Sequence, residues 1–160
     1  MHKKFMILNG SNLNLLGERE PEHYGYTTLA AIEQSCVEFG GLLGVEVDFR
    51  QTNHEGVLID SIHEARKTAD AIVINPAGFS FKSVSVMDAL KAYDGLKFEV
   101  HISNIHARDI HHQHSILSHV VTGVICGLGP YGYIVGMQTA AQKLGLLPDG
   151  LPEIIRTGPQ

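Results

Sequence analysis

Two uninterrupted apolar runs, Phe5-Met6-Ile7-Leu8 and Ala71-Ile72-Val73-Ile74, do most to restrict the folds open to this chain. A strand covered on one face alternates apolar and polar residues. A strand covered on both faces does not, so each run reads as a strand of a parallel sheet with helices above and below. Val45-Glu46-Val47-Asp48-Phe49-Arg50-Gln51 does alternate, which fits a strand near the sheet edge with one solvated face. Segments of helical period lie between. Thr28 caps a helix with apolar positions at Leu29, Ile32, Cys36, Val37 and Leu43, and the pair Gly40-Gly41 is expected to mark its fraying end. Leu58, Ile59, Ile62 and Ala65 form the apolar stripe of a second helix. Val84, Met87, Ala89 and Leu90 form that of a third over residues 82–93, and residues 131–144 a fourth carrying Gly136, Ala140 and Ala141. Residues 98–103 and 120–126 supply the fourth and fifth strands.

Five strands alternating with four helices, without repeats or low-complexity segments, imply an α/β fold: a flavodoxin-like five-stranded parallel sheet in three layers, α/β/α. The expected division is one domain over residues 1–145 and a C-terminal extension over 146–160. Pro148, Gly150, Pro152 and Gly158 suggest that the extension packs loosely or arms a neighbouring subunit. At 160 residues the chain can bury a sizeable core unaided. A net charge of -5 gives no electrostatic reason to expect nucleic acid. The run after Met1-His2-Lys3-Lys4 is too short for a signal peptide, and no stretch of 18 apolar residues exists, so the expectation is a cytoplasmic protein without a membrane span. Cys36 and Cys126 lie far apart with no second thiol at metal or redox spacing, and read as reduced core residues.

Chemistry gathers where the strands end. Asn12, Asn53 to Glu55, Asn75, His101 and Ser103 follow the carboxyl ends of different strands, where open α/β sheets bind ligands, and one convergent pocket accounts for them. The loop over residues 9–25 is punctuated by Gly17, Pro21 and Gly25 and holds Arg19 and Tyr24 on a mobile lid. A phenol, with an ordinary pKa of about 10, is a poor base at neutral pH, but a cation within roughly 4–6 Å favours the phenolate. The pairing makes Tyr24 a candidate base; a surface loop with a packed tyrosine is the plainer alternative. Alternation along the fourth strand puts Glu99, His101 and Ser103 on one face. A carboxylate beside an imidazole favours the imidazolium and fixes the ring, which makes His101 a candidate general acid.

Other signals carry less. No Gly-x-Gly-x-x-Gly or Walker-type loop follows the first strand, so nucleotide binding has little support. The segment from Gly127 to Gly132 is a weak candidate for an anion site at the last helix. His106, His111, His112, His114 and His119 match no zinc-ligand spacing, and no metal is expected. Ser115, His114 and Asp109 lack a nucleophile-elbow motif and read as a loop tied down by hydrogen bonds.

Taken together, the loop over residues 9–24, Asn53-His54-Glu55-Gly56, Ile74-Asn75-Pro76 and residues 99–108 resemble the type II 3-dehydroquinate dehydratases. The resemblance covers residues 5–144. It implies anti elimination of water from a cyclic hydroxy-keto acid through an enolate, without metal or organic cofactor, in a dodecamer built from trimers. It also implies that Tyr24 is the base, that Arg19 is the cation keeping it ionised with Arg108 as a second, and that His101 is the acid oriented by Glu99. Asn12 would hold a water against the enolate oxygen. Asn75, Ile102 and Ser103 match substrate-binding positions, the last two through backbone amides and a hydroxyl that suit a carboxylate. Asp88 matches a residue reaching the site from an adjoining subunit. Five positions depart from the family pattern: Ser11 stands where proline is usual, Asn75-Pro76-Ala77-Gly78 replaces Asn-Pro-Gly-Ala, and Phe81 and His112 replace a substrate-binding histidine and arginine. The first expectation is therefore dehydration of 3-dehydroquinate, in aromatic amino acid synthesis or quinate breakdown. The alternatives are a divergent relative acting on a different cyclic or hydroxy-keto acid, and a flavodoxin-like binding protein without turnover.

Overall fold

The computed structural model describes residues 2–147. Strands β1 (Lys3–Asn9), β2 (Val45–Gln51), β3 (Ala71–Asn75), β4 (Leu96–His101) and β5 (Gly123–Cys126) form one parallel sheet in the order β2-β1-β3-β4-β5. The helices are α1 (Pro21–Tyr24), α2 (Leu29–Leu43), α3 (Glu55–Thr68), α4 (Val84–Lys91) and α5 (Tyr131–Lys143). The two apolar runs are the central strands β1 and β3, and period-two geometry divides their side chains between two cores. Phe5, Ile7 and Val73 pack with Ile32 and Cys36 of α2 and Tyr133, Met137 and Ala140 of α5. Met6, Leu8, Ile72 and Ile74 pack on the other face with Leu58 and Ile62 of α3 and Val86 and Leu90 of α4. Burying each such side chain contributes about 1.5–3 kcal/mol before conformational entropy is set against it. Chain order reverses between β1 and β3, whose carboxyl ends are level, with Asn9 paired to Asn75 in register.

Several boundaries differ from the sequence reading. Helix α2 runs through Gly40-Gly41 and ends at Gly44, which adopts the left-handed conformation at φ 70. Gly40 serves a close approach instead: a Cβ there would lie 2.4 Å from Val47 Cγ2. Helix α4 begins only after a 3-10 turn (Ala77–Phe81) and is capped by Ser83, whose hydroxyl accepts from Val86 N at 3.1 Å. Val86 takes the core position expected of Val84, which is 56% exposed. Strand β5 begins at Gly123, because Val120 belongs to a 3-10 turn (Ser118–Val120) and packs with Val121 against the α3–α4 core. The lid contains a single helical turn, α1, which was not expected.

Cys36 is fully buried, and burial pushes its thiol up to about 12. Cys126 is only partly buried, which corrects its assignment to the core. Leu146 and Leu147 pack against the α2–α5 core, and the remainder of the expected extension lies outside the described residues. Among the described residues no helix is long and apolar enough to cross a membrane.

Candidate active site

The loop leaving β1 is set by a tight crossing. Gly10 N donates to Asn75 O at 2.8 Å, and a Cβ on Gly10 would lie 2.1 Å from Pro76 O, so only glycine fits. Two residues later Asn12 turns left-handed at φ 66, and its amide donates to Asn53 Oδ1 at 2.9 Å. Buried Leu13 and Leu16 anchor the far side, and a cavity of about 110 Å³ opens between this loop and the ends of β3 and β4. Of the expected site residues, Asn12, Arg19, Tyr24, Asn75, Phe81, His101, Ile102, Ser103, Arg108 and His112 line it. Glu99 is fully buried behind His101. Asp88 lies away from the cavity on α4, 3.7 Å from Lys91. His54 and Glu55 are exposed at the start of α3 and do not line the cavity, and Asn53 contributes only through Asn12.

Both expected guanidiniums stand by the phenol, and they hold it differently. Arg108 Nη1 donates to the Tyr24 hydroxyl at 2.7 Å, with its guanidinium 5.3 Å from the ring centroid. Arg19 also stands over the ring, at 5.8 Å, but its Nη2 lies 2.8 Å from Glu20 Oε2 in an ion contact without hydrogen-bond geometry. Arg108 follows the 3-10 turn Ile105–Ala107, which Asn104 caps by accepting from His106 N at 3.2 Å. Its contact with Tyr24 spans 84 positions, beyond any reading of local spacing.

Opposite lies the imidazole. His101 Nε2 is 2.6 Å from Glu99 Oε2, which leaves Nδ1 for the cavity. The Glu99 carboxylate accepts from Ser115 Oγ at 3.0 Å and from Ser118 Oγ at 3.2 Å to each oxygen. This disposes of the Ser115, His114 and Asp109 grouping. Asp109 instead accepts from His111 N and contacts His112 Nδ1 at 2.8 and 2.9 Å; against the opposing pull of desolvation, these bonds hold its carboxyl below the usual range. Phe81 stacks on His101 with centroids 6.2 Å apart and meets His112 edge-on at 5.4 Å.

The sequence reading missed Ser11, Ala77 and Gly78 in the wall, and the buried network in which Tyr133 donates to Asn9 Oδ1 at 2.7 Å and accepts from Asn75 Nδ2 at 2.9 Å. Asn75 Oδ1 accepts from Ala77 N at 3.2 Å, so this residue is held before any ligand arrives. Ser11 stands 3.3 Å from where a Cβ on Gly78 would be, which links two departures from the family pattern in one wall. Among the described residues, potential metal-ligand atoms come within 4.8 Å of one another at Glu20, Glu22 and His23, and the histidines from His106 to His119 form no such group.

A family model described as "Dehydroquinase class II" matches residues 3–141. The chain belongs to the class II dehydroquinases. A protein of Streptomyces coelicolor named 3-dehydroquinate dehydratase is 53% identical over 141 residues, covering 88% of this chain and 90% of that one. Another, 3-dehydroquinate dehydratase 1 of Agrobacterium fabrum, is 49% identical over 138 residues, covering 86% and 95%. The type II dehydroquinase of Propionibacterium acnes superposes with a TM-score of 0.82 at 42% identity, covering 88% of this chain and 97% of that one. That of Butyrivibrio crossotus gives 0.85 at 38%, covering 87% and 97%. Within this dehydroquinase fold the Tyr24 phenol and the His101 imidazole face one cavity, while Phe81 and His112 place an aromatic ring and a carboxylate-held imidazole on its remaining wall.

Proposed function

We propose that this chain is a hydro-lyase that removes water from 3-dehydroquinate to give 3-dehydroshikimate. The observation carrying this reading is the opposition, across one cavity, of a phenol bonded to a guanidinium and an imidazole bonded to a buried carboxylate. Tyr24 takes the proton from the carbon beside the ketone, and Arg108, with Arg19 behind it, stabilises the negative charge on the phenolic oxygen. The ketone becomes an enolate, held through a water on Asn12. The hydroxyl then leaves with a proton from His101 Nδ1, while Glu99 at Nε2 keeps the ring oriented. Ser103 and the amide of Ile102 hold the substrate carboxylate, and Asn75 meets the ring. The protein's groups supply every proton transfer. Relatives at about half identity, from two organisms, carry the name of this one reaction, which supports it over a different hydroxy-keto acid or a binding role without turnover.

Phe81 and His112 qualify the rate rather than the reaction. A ring hydroxyl buried against Phe81 has no partner there, and each unmet bond costs about 1–3 kcal/mol. The chain works in the cytoplasm as a trimer-based dodecamer, in which Asp88, outside its own cavity, reaches a neighbour's site; a mass of 17.5 kDa in light scattering would exclude this. The test of the reaction is direct. Purified protein mixed with 3-dehydroquinate yields an ultraviolet-absorbing enone, and absence of that product at high enzyme concentration would overturn the reading.

A further inference from the structure

We propose that Ser115 and Ser118 are positioning residues for the acid: they clamp the Glu99 carboxylate so that it holds His101 Nε2 and leaves Nδ1 to the substrate. Glu99 is fully buried and has no contact with solvent, so its oxygens must find donors inside the protein. Ser115 Oγ supplies one at 3.0 Å on Oε1, and Ser118 Oγ supplies a bifurcated one at 3.2 Å to both oxygens. The direction of the first bond is fixed independently. Leu117 N donates to Ser115 Oγ at 3.2 Å, and with that lone pair engaged the hydroxyl hydrogen is turned toward the carboxylate. His101 Nε2, at 2.6 Å on Oε2, completes the set.

The clamp crosses the fold. Ser115 is itself buried, Leu117 beside it is fully buried in the α3–α4 core, and Ile116 N donates to Ser80 O at 2.8 Å. The segment 115–118 is thereby pinned to the core and to the turn before α4, and its two hydroxyls transmit that rigidity to the imidazole. A carboxylate without these donors is free to rotate, or to draw the proton onto itself. Either the ring is aimed wrongly, or it loses its Nε2 proton to the carboxylate and is left neutral, a weaker acid at Nδ1. Neither serine lines the cavity, so substrate affinity does not depend on them.

This inference rests on His101 being the acid of the proposed dehydration, and the test separates the two. Four variants are compared with the wild type: Ser115→Ala, Ser118→Ala, the double alanine variant, and Ser118→Thr. Hydrogen bonds to a charged group make the expected loss in kcat about 10- to 100-fold in the double variant, with KM within about threefold and the far-ultraviolet spectrum unchanged. Ser118→Thr keeps its hydroxyl and stays within about threefold of wild type. The limb of the kcat–pH profile that reports the acid moves in the double variant and not in the threonine variant. Nitrogen-15 NMR of the His101 ring needs no substrate: in wild type Glu99 holds the Nε2 proton both in the acid form, which carries a second proton at Nδ1, and in the neutral form, which is a single tautomer, whereas the neutral form of the double variant is a mixture of tautomers. Wild-type kcat, pH profile and tautomer in a folded double variant would overturn the clamp. So would a loss of activity in Ser118→Thr as large as in Ser118→Ala, which marks mere packing. If wild-type protein makes no enone, the dehydration fails while the tautomer comparison still decides the clamp.

Discussion

Replacing Arg108 by methionine should damage catalysis far more than the same change at Arg19, although Arg19 is the closer residue in sequence to Tyr24. Charges about 4 Å apart interact by ~1 kcal/mol in bulk water and ~4 kcal/mol at the effective dielectric of about 20 found near protein surfaces. Arg108 and Tyr24 are both partly buried and share a bond of 2.7 Å, so the interaction falls between these limits, at about 2–3 kcal/mol. Lost from the transition state, that amounts to roughly a 30- to 150-fold decrease in kcat/KM. Arg19 is 42% exposed, and Glu20, 2.8 Å away, already offsets part of its charge. Its removal should therefore cost less than about fivefold. The assay is initial-rate enone formation from 3-dehydroquinate for both variants between pH 6 and 9. Arg108→Met should recover in part as pH rises, because hydroxide then supplies the deprotonation that the guanidinium assisted. A larger loss in Arg19→Met, or an Arg108→Met variant within threefold of wild type, would refute the assignment.

Ala77 sits at φ 51, where a Cβ is strained by about 1–2 kcal/mol, so Ala77→Gly should leave the urea midpoint unchanged or raise it; a clear drop would contradict this. Gly10→Ala should destabilise by more than about 2 kcal/mol in the same measurement, because the new methyl group meets the carbonyl of Pro76 at 2.1 Å. Hydrogen bonds from Arg50 hold the carboxyls of Asp48 and Glu64 below their ordinary values. The resulting stability is present above the unfolded values near pH 4 and fades as pH falls through the lower folded ones, so Arg50→Met should unfold more readily than wild type at pH 7, with the gap closing below about pH 4. Burial raises Cys36 and Tyr93 to about 12, so their contribution is complete below the unfolded values and is lost as pH climbs from about 9 to 12. Unfolding midpoints should decline across that window, and a flat profile would count against the burial of both groups.

How much of this could be read from the sequence depended on whether the controlling contact was local. Strands β1 and β3 were legible because burial on both faces leaves an unbroken apolar run, and β2 because an edge strand alternates. The Glu99–His101 contact was legible because two residues on one strand share a face by geometry alone. Strand β5 was misjudged at its start, since Val120 and Val121 are apolar in a turn that packs against the body, and helix α4 because Ser83 caps it, so that it begins at Val84 and not at residue 82. The guanidinium that bonds Tyr24 was ranked second because proximity in sequence favoured Arg19, while the decisive bond joins residues 84 positions apart. Ser115 and Ser118 escaped notice as partners of Glu99 for the same reason, at separations of 16 and 19. Gly40 was read as a helix end because flexibility is glycine's commoner use; here its missing side chain lets α2 lie on β2.

The central claim is that Tyr24 is the base of a dehydration, and one comparison tests it most directly. Enone formation from 3-dehydroquinate is measured for wild type and for Tyr24→Phe, with binding of the same ligand to each followed by calorimetry. The phenylalanine variant keeps the ring that Arg19 and Arg108 stand over and loses only the oxygen. Turnover should fall by at least about a thousandfold, within the range for loss of a general base, while the dissociation constant changes by less than about fivefold. A Tyr24→Phe variant that retained more than a tenth of wild-type turnover would contradict the account.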